Sequence, residues 1–471
     1  MAIFLLAVAV VIGWLLVQLA SPADKTGPPW AIFLVELALG AGGGIALVSF
    51  LFFLLLLLHV ASPLVMLLTE ALLLLTAAGL VLLRHPRTVK DPGRQAAGFW
   101  WYWILLGALT VSVLAVTAGS AKVAQANPYG AWDALAIWNL RAKYLAVPGD
   151  AWMPAFFSGR GLIQPDYPLL TSGFIAHLWK FSDGETSTLA PMLTAAVFAA
   201  SVAALLVSAL GVVRGTGSAL LAGLTLMTSS SFCMQSMWQN ADVPLSYYYL
   251  ATLTLVLLSA SSEGSRKAIL AAMAGAFASF AAWTKNEGLV FFLLSLAVYA
   301  FIFRRHKNAR PSTGPVWYYL LGAMPGLLMV GYFKAFLAPP DYLTNQTAAQ
   351  AMHKFVEFDR YVLIARWLIH IAKSLGDWGT NPLLLLAILA IVLRFRLDER
   401  QRQGVIATGL TLGLVCAAYC GVYLLTPLDL YYHLETSLER LYAQVWPSFL
   451  FVAFLILGRP EEALFFPKAK H

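Results

Sequence analysis

Charge is scarce in this sequence. Asp, Glu, Lys and Arg together make up 11% of 471 residues, where soluble domains carry roughly 25%, and the hydrophobic set reaches 60%. A water-soluble core has no room for that much apolar surface. Cysteine is scarcer still: Cys233, Cys416 and Cys420 all fall in apolar stretches, with no CxxC or Cys/His spacing of the zinc-binding kind. They read as small core residues. No internal repeat is visible, nor are there the paired, Gly/Pro-interrupted helices in matching halves that many secondary transporters have. Residues 1–20 lack the positive start of a secretory signal, so they read as a spanning helix. The run Gly40 to Gly44 follows no strand and points to close helix packing, not to a phosphate-binding loop.

What is present is a succession of apolar stretches, each near the 20 or so residues that cross a bilayer. They fall at 2–20, 31–57, 61–83, 98–118, 188–213, 217–236, 243–260, 267–283, 287–303, 317–337, 380–396, 404–426 and 443–458. The expected fold is therefore all-α, a polytopic bundle of about thirteen transmembrane helices. Net charge is +8, and the positive residues sit in alternate breaks: Arg84, Arg87, Lys90 and Arg94; Arg214; Arg266 and Lys267; Arg304, Arg305, Lys307 and Arg310; then Arg394, Arg396, Arg400 and Arg402. Cytoplasmic loops are enriched in Lys and Arg, so one orientation satisfies all of these, with the N-terminus outside and the C-terminus, bearing Lys468 and Lys470, inside. The basic balance is thus a topology signal and calls for no nucleic acid. Three segments follow: 1–97 with a basic cytoplasmic loop, 98–458 as the main module, and a tail at 459–471.

Two outer breaks are too long for turns, 119–187 and 338–379, the second with a shorter partner at 427–442; long connections of this kind usually carry function. Trp132 to Leu145 and Tyr361 to Leu375 alternate apolar and charged residues at helical intervals, which predicts helices lying in the membrane interface. Trp152, Trp238 and Tyr247 to Tyr249 are expected at the interface as well, not as a sugar-stacking box.

Five polar clusters share the outer side in this topology: Asp133 with Arg141 and Lys143; Gln164 to Pro168; Asn240 to Pro244; Trp283 to Gly288; and His433 to Gln444. Ionisable groups beside hydrocarbon are costly, so their gathering at one face argues for a polar cavity there. These clusters resemble the GT-C glycosyltransferases, in particular the bacterial relatives of the dolichyl-phosphate-mannose mannosyltransferases and lipid A aminoarabinose transferases. The likeness rests on Trp132 to Lys143, Pro165 to Leu170, Ala241 to Leu245, Thr284 to Gly288, and Ser437 to Leu441 with Gln444 and Pro447, scattered over 98–458. It implies transfer of a sugar from a polyprenyl-phosphate carrier to a glycan, lipid or protein acceptor on the non-cytoplasmic side of a bacterial inner membrane, with a catalytic Asp in the first large outer loop. The chain departs from that group in having three additional helices before the loop, and in having Ala134 after Asp133 where the mannosyltransferases carry an Asp-Glu pair.

The chemistry stands beside the resemblance. A hydroxyl attacking an anomeric carbon needs a carboxylate to take its proton and positive charge where the departing phosphate gains charge. Asp133 suits the first task, with Asp166 as a second, orienting carboxylate; Arg141, Lys143, Lys285 and Arg440 suit the second. On an α-helix, positions eight apart lie about 80° from each other, so Arg141 can share a side with Asp133. Each residue also has a plainer reading. Asp133 pairs with Arg141 or a nearby Lys to hold an interfacial helix; Asp166 between two prolines forms a turn; Asp242 caps the helix that begins at Val243-Pro244; Lys285 and Glu287 form a hairpin tip with Gly288; Arg440 snorkels. His433 with Glu435 is compatible with a divalent cation, although a lone interfacial His is more often simply a hydrogen-bonded polar residue. A lipid-linked-sugar transporter or flippase, and a polymerase or ligase using a diphosphate-linked glycan, remain alternatives. A transporter requires polar groups near the midplane, where Glu36 and Lys334 are the exceptions to an apolar pattern and both fit helix ends.

Overall fold

The computed structural model describes residues 1–21, 24–84, 88–90, 100–147, 152–153, 163–181, 186–304, 314–340, 346–375 and 381–464. Arg87, Arg94, Arg305, Lys307, Arg310, Lys468 and Lys470 lie outside these, as do the side chains of Lys90 and Arg304.

The described chain is helical nearly throughout. The first four helices are α1 (Ala2–Ala20), α2 (Pro29–Leu57), α3 (Pro63–Leu82) and α4 (Trp100–Ala126). Then come a π-helix (Ala134–Asn139), α5 (Leu140–Ala146), α6 (Leu170–Lys180), α7 (Leu189–Val213), α8 (Thr216–Met227) and α9 (Ser230–Met237). The rest are α10 (Asp242–Ala260), α11 (Gly264–Thr284), α12 (Asn286–Arg304), α13 (Gly314–Phe336), α14 (Ala348–Val356), α15 (Phe358–Ser374), α16 (Pro382–Leu393), α17 (Arg402–Leu425), α18 (Leu430–Ile456) and α19 (Pro460–Leu464). Two tripeptides, β1 (Asp24–Thr26) and β2 (Thr88–Lys90), pair in parallel. Local chemistry sets the starts. Ser62 Oγ accepts from Val65 N before Pro63, Asn381 Oδ1 accepts from Leu383 N and Leu384 N before Pro382, and Asp429 Oδ1 accepts from Tyr432 N. Each satisfies an amide that the first helical turn leaves open.

Among the described residues, ten helices are long and apolar enough to cross a membrane, eleven if α8 and α9 count as one bent span. The chain is a multi-pass membrane protein. Three of the thirteen expected spans take another form, and one of them, 443–458, falls in the second half of the longer helix α18. The stretch at 217–236 breaks between α8 and α9 with a 71° bend, where Thr228 Oγ1 turns back to Thr225 O and Ser229 Oγ caps α9; hydroxyls that bond nearby backbone favour such breaks. The stretch at 380–396 forms only the 12 residues of α16, at 1.5 Å rise about 18 Å long, well short of a hydrocarbon core of about 30 Å.

Within the break at 119–187 the described residues are largely helical. Helix α4 continues to Ala126, and α6 is buried from Leu170 to Trp179. At 132–145 the interfacial pattern gives way to burial: Ala134, Ile137, Trp138, Asn139, Arg141, Ala142 and Leu145 are all enclosed. The second expected interfacial segment forms α15, with Phe358, Tyr361, Leu368 and Ile369 exposed and Ile364 buried against Leu434 and Leu438 of α18.

Glycine sets the packing of α1 on α2. A Cβ on Gly44 would sit 1.9 Å from Ala9 O and one on Gly13 would sit 2.0 Å from Gly40 O, so these backbones touch directly. Tyr247, Tyr248 and Tyr249 are not interfacial but fully buried. The Tyr247 and Tyr248 hydroxyls donate to α2 carbonyls at Ala38 (2.8 Å) and Gly42 (2.9 Å), so their polar ends are satisfied within the protein. Cys233 is buried, while Cys416 is exposed on α17, not in the core.

Candidate functional site

The helix ends sort into two faces. On one, Arg84 donates to Gln18 O and Leu19 O at the end of α1, Arg214 donates to Leu457 O and Arg396 O, and Glu461 accepts from Gly217 N and Tyr102 Oη. Asp133, Asp166, Asp242, Lys285, Lys334 and Arg440 gather at the other ends of the helices.

Asp242 is the hub of that second face. It opens α10, but its carboxylate caps nothing; the N-cap position belongs to Ala241. Its side chain is fully buried and accepts from Lys285 Nζ (2.9 Å), Arg440 Nε (3.0 Å) and Gln444 Nε2 (2.5 Å). Helix α10 packs against both α11 and α18, which brings the start of α10 and the middle of α18 to the turn after α11, where Lys285 sits with extended backbone. Lys285 also reaches Glu287 Oε1 at 2.9 Å. Burial alone would lower the Lys285 pKa, but Asp242 and then Glu287 outweigh it and raise it above the ordinary lysine value. Gln444 is held in turn by Tyr419 Oη at 2.5 Å, which pairs with Tyr249 Oη at 3.0 Å.

Asp133 joins this network through Arg440. Its Oδ2 pairs with an Arg440 Nη, so Arg440 spans Asp133 and Asp242. The pairing with Arg141 does not form. Residues 134–139 are a π-helix, whose wider turn breaks the α-helical spacing that would align positions 133 and 141. Arg141 points inward, fully enclosed, and donates to Tyr167 O (2.9 Å) and Ile163 O (3.3 Å) while lying over the rings of Trp138 and Tyr167. Burial pushes its pKa down to about 10. It therefore braces the Gln164 to Pro168 turn. Lys143 is exposed on α5 and does not join the network.

Asp166 forms a second station. Its Oδ2 accepts from Asn286 Nδ2 (2.5 Å) and lies 3.5 Å from Lys334 Nζ, which donates to Asp166 O at 2.6 Å. Asp166 is thus both a turn residue and an anchor for α12 and α13. Lys334 sits at the end of α13, as its sequence position suggests, whereas Glu36 is buried in the body of α2 and is no end residue.

Between the stations lies a cavity of about 210 Å³, lined by Tyr167, Lys285, Glu287, Tyr423, His433 and Arg440 together with apolar residues of α12 and α17. Lys285 Nζ stands 5.6 Å from the Tyr167 ring centre. Glu287 Oε2 is buried without a hydrogen-bond partner, so the cavity offers an acceptor to whatever enters. His433 Nδ1 meets Thr426 Oγ1 at 2.9 Å, and Glu435 points outward from the same helix. Among the described residues no three His, Cys, Asp or Glu side chains gather as metal ligands. Asp133 borders the cavity through Arg440 and does not line it.

Sequence reasoning underweighted Gln444, Tyr419 and Tyr167. It missed the buried pair of His177 Nε2 and Glu70 Oε1 at 2.9 Å, which ties α3 to α6. Glu70 interrupts an apolar run, and that was the available signal.

Compared with the known protein families, with characterised proteins and with solved structures, the chain finds no match.

Proposed function

We propose that this protein is a membrane glycosyltransferase that moves one sugar from a polyprenyl monophosphate to an acceptor on the non-cytoplasmic face of a bacterial inner membrane. One observation carries the reading: a carboxylate and two cations, Asp133, Arg440 and Lys285, meet at one end of the bundle beside a cavity that has both polar and apolar walls. The acceptor oxygen attacks the anomeric carbon as the carbon–oxygen bond to phosphate breaks. Asp133 takes the acceptor proton, and the lipid phosphate leaves with the bonding electron pair toward Arg440 and Lys285. A single displacement inverts the anomeric centre. Asp166 and Arg141 position the Tyr167 wall, and the alternating basic breaks support an N-terminus outside and a C-terminus inside.

The test is transfer of radiolabelled sugar from a panel of polyprenyl-phosphate sugars in membrane vesicles. Replacing Asp133 with Asn should cut turnover by about 10²- to 10⁴-fold, the usual contribution of general acid–base catalysis, in protein that still inserts and melts normally. Undiminished transfer by that variant would falsify the reading.

A second reading, a carrier for a lipid-linked sugar, is favoured by the ionisable groups Glu36, Glu70 and His177 buried among the helices. It requires net movement of the lipid across a vesicle membrane with no change in its sugar.

A further inference from the structure

The cavity wall contains a charge imbalance that bears on how a phosphate enters. The continuous chain Asp133, Arg440, Asp242, Lys285, Glu287 holds three carboxylates and two cations, and both cations are already engaged. An anionic headgroup arriving here meets cations that are compensated and one carboxylate in excess. For it to bind, a carboxylate must give way.

The carboxylates are unequal in this respect. Asp242 is fully buried and accepts from three donors, and withdrawing it would take from Lys285, itself 2% exposed, one of its two counter-charges and from Gln444 its acceptor. Glu287 pairs with Lys285. Asp133 and Glu287 are both one-fifth exposed, but Asp133 is bound to Arg440 at the end of the network and not to Lys285, the partner that the other two carboxylates share. It also stands at the head of a π-helix, a form common where a helix must adjust. The chain enters that helix from Gly130, whose φ of 78° gives the entry a turn that other residues resist.

We infer that Asp133 holds the position on Arg440 that the carrier phosphate takes, and that the phosphate displaces it. The inference rests on the glycosyltransferase reading and adds its regulation: the arriving phosphate takes over the Arg440 guanidinium, and the released carboxylate is free to accept the acceptor's proton. While Asp133 is paired with Arg440 the base is held by the cation, so proton acceptance is coupled to a loaded donor site. Once Asp133 leaves, the remaining chain holds two cations and two carboxylates, and the phosphate no longer meets an excess of negative charge.

Farnesyl monophosphate in detergent micelles, titrated against the full-length protein, tests the displacement. Asp133→Asn should bind it about tenfold tighter than the parent while losing transfer, because the competitor for Arg440 is gone. Asp133→Ser should behave in the same way, which guards against a folding defect in either variant. Arg440→Gln should bind more weakly, and adding Asp133→Asn to it should restore little, since the two act on one contact. A purely structural ion pair predicts the reverse, with equal or weaker binding by both Asp133 variants in correctly melting protein, and that result overturns the inference while leaving the transferase reading in place. If neither the parent nor any variant binds farnesyl phosphate or transfers a sugar, the transferase reading falls and the inference falls with it.

Discussion

Asp242 is the residue on which the polar face is organised, because a carboxylate at that depth persists only where several donors surround it. Lys285, Arg440 and Gln444 are those donors. Replacing Asp242 with Asn leaves two cations facing a neutral amide, and breaking a buried pair in this way costs about 3–5 kcal/mol. A heat-unfolding curve in detergent, followed by tryptophan fluorescence, should shift clearly downward. Lys285→Met should shift it too, and the double variant should lose less than the two single losses together, because the stranded charges are removed as a pair. Full additivity would mean that the two residues do not share one network. The residue types at this site were legible in the sequence, since charges are so few that each cluster stood out. Their partners were not. Asp133 was expected beside Arg141, eight positions away, and meets Arg440 across the bundle instead.

At the scale of elements, two kinds of contact set the packing. Where α1 crosses α2, backbone meets backbone at Gly13, Gly40 and Gly44, with no space for a Cβ. Gly44→Val should therefore force the helices apart and lower the melting temperature, while Gly79→Ala, with nothing within 4 Å of its Cβ, should be neutral or slightly favourable on helix propensity. Equal behaviour of the two in the same melting assay would show that the close approach does not matter. The glycine run was readable because small residues in an apolar stretch have few other uses. The π-helix at Ala134–Asn139 was not readable, since apolar spacing over six residues does not distinguish it from an α-helix. The same holds for the tyrosines of α10. As residue types they favour the interface, and only the carbonyls of α2 and the hydroxyl of Tyr419 explain their burial.

The whole molecule has two chemically distinct ends. One holds Arg84, Arg214, Arg396 and Arg402, the other the Asp242 network. If the basic end is cytoplasmic, as Lys and Arg enrichment dictates, a membrane-impermeant maleimide should label Ser62→Cys and Tyr432→Cys in intact cells. It should reach Arg400→Cys only after permeabilisation. The opposite pattern would place the cavity in the cytoplasm and remove the case for a lipid-phosphate donor presented from outside.

The sequence alone determined the class of molecule, because hydrocarbon admits few charges and long apolar stretches cross it as helices. The tertiary structure decided which charges meet. An ion pair buried between helices is fixed by how those helices lean on one another, and residues 133, 242, 285 and 440 come into contact only when α10, α11, α18 and the π-helix are packed together.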